Sequence, residues 1–194
     1  MKHILLLTSL ITLVGAAVAE NEAPVVRTLD PELQPKIQFL NPEYLVYLPA
    51  GNTNAKLPLL IFLHGAGEVG NDIHQVKSKP TAIWEGIRKF NKGPCLVVAP
   101  QCLRTAKGER GIWTPEDLNL LLQQLKATLP VDDRRIYLSG ISMGGYGTWD
   151  LITRFPDKWA AAAPICGGGD KTKAALAKDV PIWAPELHFL KGTY

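Results

Sequence analysis

The sequence predicts an α/β chain, a mostly parallel sheet covered by helices on both faces. Three observations carry that expectation. Short apolar runs of strand length alternate with longer segments whose apolar residues recur at helical spacing. Several of the short runs are continuously apolar, the pattern of strands buried on both faces. A serine flanked by glycines stands where one such run gives way to a helical segment, at Gly140, Ser142 and Gly144.

The elements follow in order. Lys2 and His3 make a short basic start, residues 4–14 are almost wholly apolar, and Ala17-Val18-Ala19 offers a small-x-small cleavage site. Residues 1–19 therefore read as a signal peptide, and an apolar run this short is ill matched to a hydrocarbon core of about 30 Å. The expectation is an exported chain, periplasmic or extracellular after cleavage near Ala19, with one domain over residues 20–194 and no stable membrane anchor. Residues 21–35, rich in Pro, Glu and Asp, read as an extended lead-in. Residues 43–48 form an early strand stopped by Pro49, with turn chemistry at residues 51–54. Residues 57–63 are the clearest buried strand, ending in His64-Gly65-Ala66-Gly67.

Residues 81–90 carry a helical pattern with Ile83, Trp84, Ile87 and Phe90 on one side. Residues 96–99 are the next buried strand. Thr114-Pro115-Glu116-Asp117 is a helix start, with a Thr cap, Pro at the first helical position and acids in the first turn. Leu118, Leu121, Leu122, Leu125 and Leu129 continue as one stripe, closed by Pro130. Residues 135–139 form a strand, 143–155 a helix that stops before Pro156, and 159–165 and 180–183 two further strands.

Composition narrows the function classes. The chain has 194 residues, 46% of them hydrophobic and 20% charged, enough for one sizeable core. A formal charge of +3 with dispersed Lys and Arg gives no electrostatic footprint for nucleic acid. Three cysteines cannot all pair. Cys95 and Cys102 fall at opposite ends of one strand, about 20 Å apart at roughly 3.3 Å per residue. Cys102 and Cys166 share a sheet edge with other strands expected between them, so no disulfide is expected. The cysteines lack zinc spacing, His64 and His74 stand apart, and Gly167-Gly168-Gly169 lacks the phosphate-loop pattern. No metal or cofactor is expected.

Gly140-Ile141-Ser142-Met143-Gly144 fits G-x-S-x-G between a strand and a helix. A chain that reverses there holds the serine in a strained geometry, and the flanking glycines remove Cβ atoms that would collide. The hydroxyl is presented at the tip, above the carboxyl edge of the sheet, and the helix start contributes the amide of Met143. Ser142 is thus a candidate nucleophile. His64-Gly65-Ala66-Gly67 supplies Gly-rich backbone whose Ala66 amide can point where that of Met143 points, as an oxyanion requires. His64 itself reads as a buttress of that loop rather than a base. Glu68, Asn71 and Asp72 either line the mouth of the site or are simply solvated. Trp113, Trp149 and Tyr146 are candidates for an aromatic substrate pocket. Core packing is the favoured reading for Trp149 and Tyr146, and Trp113 is open between the two.

Residues 59–68, 98–102, 136–150 and 155–170 together resemble the phospholipase/carboxylesterase and dienelactone-hydrolase-like branch of the α/β-hydrolases. The exported members described as predicted peptidases or polyhydroxybutyrate-depolymerase-like esterases are the best match, and the similarity spans about residues 40–184. The resemblance implies a three-layer α/β-hydrolase sandwich, and a serine hydrolase that cleaves small-molecule or polymer-linked carboxylic esters. It implies Ser142 as nucleophile and the amides of Ala66 and Met143 as oxyanion hole. It also implies an acid in an H-G-x-x-D-like turn after the next strand and a histidine some tens of residues later. Neither is matched, because residues 179–184 lead into residues 185–194. Asp170 and His188 keep the order Ser, Asp, His and are the available substitutes. The expectation is a sheet lacking its last strand and helix, from a frameshifted, truncated or fragmentary reading, with apolar edge exposed. The alternatives to an esterase are an incomplete remnant that binds without turnover and an amide-cleaving variant.

Overall fold

The computed structural model describes residues 23–49, 55–90, 92–104, 107–108 and 111–185. The expected signal peptide and His188 lie outside the described residues. Among the described residues six strands form one sheet: β1 (Val25–Thr28), β2 (Leu40–Tyr47), β3 (Leu57–Leu63), β4 (Leu96–Cys102), β5 (Val131–Ile141) and β6 (Ala161–Ile165). Three α-helices connect them: α1 (Ser78–Lys89), α2 (Pro115–Thr128) and α3 (Met143–Arg154). The spatial order is β1-β2-β4-β3-β5-β6.

The sheet is mixed. β4, β3, β5 and β6 run parallel, whereas β1 pairs antiparallel with β2, and β2 with β4. A parallel return needs a crossover of a dozen or more residues. Only residues 48–56 separate β2 from β3, so the chain turns back instead. The lead-in expected to be merely extended supplies β1 as an edge strand. β2 and β4 slip register between Leu40 and Tyr44, leaving a bulge around Asn41.

Alternation along the central strands sorts the core into two faces. Leu96 and Val98 point toward Leu118, Leu121, Leu122 and Leu125 of α2 and toward Leu151 and Ile152 of α3. Val97 and Ala99 point the other way, with Leu45, Tyr47 and Trp84 of α1. The four α2 leucines are all buried, each worth about 1.5–3 kcal/mol relative to exposure. The stripe expected there is therefore what seats the helix.

Other expectations change in detail. Thr114 takes the cap position of α2, but its hydroxyl makes no capping bond and is buried without a partner among the described residues. Instead the buried Asp117 in that first turn accepts from the backbone N–H groups of Gln38 and Phe39 at 2.9 and 2.8 Å, tying α2 to the start of β2. Phe90 lies past the end of α1 and is exposed, so the apolar side of that helix ends at Ile87. The strand expected over residues 180–183 is a single parallel bridge, Ile182 to Ala162, fastened by Ala162 N–H to Pro181 O and Trp183 N–H to Ala162 O. Pro181 has no N–H to extend the ladder. Ile182 and Trp183 remain exposed beside β6. β3 and β5 separate β4 from β6, the strands that lead to Cys102 and Cys166, as the sequence led one to expect.

Candidate active site

β5 ends at Ile141 and α3 begins at Met143, so Ser142 alone makes the reversal. Its backbone stands at φ 54°, ψ −114°, a region that costs a residue with a Cβ about 1–3 kcal/mol. The surroundings impose it. Ser142 N–H donates to Ile165 O of β6 at 2.8 Å, and Ser142 O accepts from Tyr146 N–H at 3.0 Å. A Cβ at Gly140 would stand 2.3 Å from Gly144 O, and one at Gly144 would stand 2.1 Å from Leu63 O. The glycines are there because the helix start, β5 and the end of β3 touch backbone to backbone.

The loop after β3 faces this turn. A Cβ at Gly65 would sit 3.7 Å from Ser142 Cβ, so the two segments are immediate neighbours. Ala66 opens a short 3₁₀ turn, Ala66–Glu68. Among the described residues, neither the Ala66 N–H nor the Met143 N–H is taken up by another backbone group. Neither Gly65 nor Gly67 has positive φ, and a Cβ would meet its nearest neighbours at 3.5 Å at Gly65 and nothing within 4 Å at Gly67, so neither conformation nor space demands glycine there.

His64 is 2% exposed, with both ring nitrogens engaged. Nε2 accepts from Cys102 N–H at 2.9 Å, which leaves the proton on Nδ1, 2.6 Å from Gly65 O. Burial lowers its pKa to about 4, against a smaller opposing pull from the Gly65 carbonyl. Trp113 closes over it, with its indole N–H donating to His64 O at 3.1 Å and the two rings edge to face at 4.8 Å. His64 is a buttress, held neutral. Glu68 pairs with Lys79 and stands 4.0 Å from His64 Nδ1.

Ser142 opens onto a cleft of about 350 Å³ lined by Ala66, Ile112, Trp113, Met143, Tyr146, Gly147 and Asp150. Gly147 lets Trp113 lie against α3, since a Cβ there would meet Trp113 Cβ at 2.6 Å. Trp113 is therefore both packed and part of the cleft. Tyr146, for which core packing was the favoured reading, is exposed on the cleft wall. Residues four and eight positions beyond Ser142 share its face of a helix, a signal that could have singled out Tyr146 and also Asp150. Burial raises the carboxyl pKa of Asp150, with nearby Lys173 offsetting it. Among the described residues no imidazole lines the cleft.

Trp149 and Asp170 stand elsewhere. They line a separate cleft of about 370 Å³ with Cys166 and Gly167 to Gly169. Trp149 also packs against the core and against Gly169. Asp170 caps the 3₁₀ turn Lys171–Ala177, accepting from Thr172 Oγ1 at 2.7 Å and from Thr172 N–H at 2.9 Å. Those bonds hold its carboxyl below the usual range.

Residues 102–192 match a model of the prolyl oligopeptidase family. A probable feruloyl esterase C of Aspergillus terreus is 27% identical over 140 residues, covering 71% of this chain and 51% of that protein. A bifunctional acetylxylan esterase/xylanase of Neocallimastix patriciarum is 31% identical over 141 residues, covering 71% of this chain and 20% of its own length. The crystal structure of a thermostable esterase superposes with a TM-score of 0.68 at 35% identity, over 83% of this chain and 45% of that one. The chain thus spans about half or less of the length of these relatives.

Proposed function

We propose that this chain, which has the α/β-hydrolase fold, is an exported serine hydrolase that cleaves carboxylic esters through an acyl-enzyme on Ser142. The strained Ser142 turn facing the Ala66 loop is the observation that carries this reading.

In the proposed reaction Ser142 Oγ attacks the ester carbonyl carbon and gives up its proton to a base. The carbonyl oxygen becomes an oxyanion, and the N–H groups of Ala66 and Met143 receive it. Donors fixed by the fold need not reorganise as charge develops, and one such bond is worth about 10²–10³ in rate. The intermediate then collapses, the alcohol leaves with a proton, and water releases the acid by the same steps in reverse. The described residues supply the nucleophile and two donors, whereas His64 is spoken for by Cys102 and Gly65. His188 is the imidazole to test as base. Asp170, although occupied as a cap, is the carboxylate to test beside it.

The Ser142 cleft is walled by Ile112, Trp113, Met143 and Tyr146 with Asp150 among its lining residues, which suits an ester with a flat or apolar portion. The names of the relatives, a feruloyl esterase and an acetylxylan esterase, support small-molecule or polymer-linked esters as the substrate class. Export rests on the basic, apolar and small-residue order of residues 1–19. Among the described residues no helix is long and apolar enough to cross a membrane.

The test compares the full chain with Ser142→Ala on a short p-nitrophenyl ester, with circular dichroism confirming that both are folded. The proposal expects hydrolysis by the wild type and a rate at the uncatalysed baseline for the variant. Equal rates in a folded pair would sink it.

A further inference from the structure

The Ala66 loop is poorly held by its own backbone. Its two internal 3₁₀ bonds, Glu68 N–H to Gly65 O and Val69 N–H to Ala66 O, are 3.3 and 3.5 Å long, beyond the usual 2.9–3.0 Å. The catalytic reading nevertheless requires the Ala66 N–H to stay fixed. The holding groups come from the end of β4. The Cys102 backbone ties down the loop at His64, through Nε2, and at Gly70, whose N–H donates to Cys102 O at 3.1 Å. Between and beyond those points the carbonyls of Glu68 and Asp72 both turn to Gln101.

Gln101 is fully buried, and its amide is completely used. Nε2 donates to Glu68 O at 3.0 Å and to Asp72 O at 2.9 Å, while Oε1 accepts from Asn41 Nδ2 at 2.9 Å. Asn41 sits in the bulge of β2, where ladder pairing with β4 lapses, and its Oδ1 accepts from Glu43 N–H at 3.0 Å. The bulge thus frees a side-chain amide to orient the Gln101 amide. Gly70 leaves the room, because a Cβ there would stand 3.3 Å from Gln101 Nε2 and 2.7 Å from Gln75 Oε1. A buried amide with every donor and acceptor matched fixes one geometry, and a mismatched one is costly.

We propose that Gln101 is a positioning residue of the active site, holding the turn from Ala66 to Asp72 against β4 so that the Ala66 N–H stays aimed beside Ser142. This rests on the hydrolase reading. It adds that a residue outside the Ser142 cleft, acting through the Asn41–Gln101 relay, sets the oxyanion geometry.

The test uses the full chain with Gln101→Met, close in shape but unable to bond either carbonyl. Asn41→Ser, which removes the amide that orients Gln101 and leaves a hydroxyl able to accept from Glu43 N–H, is the second variant should the first not fold. Two readouts are taken: amide hydrogen exchange by peptide, and turnover of a short p-nitrophenyl ester. Exchange across residues 66–72 is expected to quicken about tenfold or more while the β3 and β5 peptides keep wild-type rates. kcat is expected to fall about 10- to 100-fold, with KM within about twofold, as for weakening an oxyanion donor. Unchanged exchange in the loop, or exchange quickened equally throughout the sheet, would overturn the proposal. So would a loosened loop with unaltered kcat. A wild type without Ser142-dependent turnover would instead defeat the hydrolase reading and the catalytic half of the proposal. Exchange would then still decide whether Gln101 holds the loop.

Discussion

Among the described residues, His64 is a side chain held far from its ordinary chemistry. Burial lowers its pKa to about 4 from 6.5, so the native state keeps the ring neutral while the unfolded chain takes up a proton. The neutral ring's contribution is therefore fully present above about pH 6.5 and is lost as pH falls through about 4. A shift of this size is worth about 3 kcal/mol. Denaturant unfolding followed from pH 7.5 to 4.5 is expected to show a loss of that order. The His64 ring signals in NMR should titrate near pH 4, and a midpoint near 6.5 would contradict the arrangement with Cys102. The sequence showed that a histidine opens the loop, and the loop context favoured a buttress over a base. It could not show which backbone group takes Nε2, because Cys102 reaches His64 only through the pairing of β3 with β4.

At the scale of elements, α3 lies backbone to backbone on the ends of β3 and β5. Gly144→Ala would place a methyl 2.1 Å from Leu63 O. The variant is expected to lose about 1–3 kcal/mol or more, since backbone cannot yield as a side chain does. Thermal unfolding checks this, and an unchanged midpoint would mean that the helix sits farther from β3. Elements with strong local signals were legible in the sequence. The apolar run at residues 57–63 is β3 to the residue, and Pro115 starts α2 as the Thr-Pro-Glu-Asp signature indicated. The expected strand over residues 135–139 proved to be the core of the longer β5. β1 was not legible, because its Val-Val pair lies on a sheet edge with little burial to set a pattern. Tyr146 was misjudged because periodicity reports which residues share a helix face, not whether that face meets the core or a cleft.

For the whole molecule, strand order does the assembling. Placing β3 beside β5 brings the loop at residues 64–68 against the Ser142 turn, though the two are far apart in sequence. Placing β6 beyond β5 lets Ile165 O hold the Ser142 N–H. Alternating strands and helices made the parallel part of the sheet predictable, whereas the antiparallel edge followed from a connection too short for a crossover. The Ser142 turn and the Ala66 loop beside it were readable as structure because each is signalled by a short motif. Asp150 and Gln101 were not, because each matters only through neighbours the fold supplies. In the proposed function, this assembly makes Ser142 a nucleophile. The most direct test of that role is an acid quench of the full chain within the first turnover of a short p-nitrophenyl ester, followed by peptide mass analysis. One acyl group is expected on the peptide that contains Ser142, and none in Ser142→Ala. Ester cleavage with no adduct there, or with an adduct on another residue, would contradict that role.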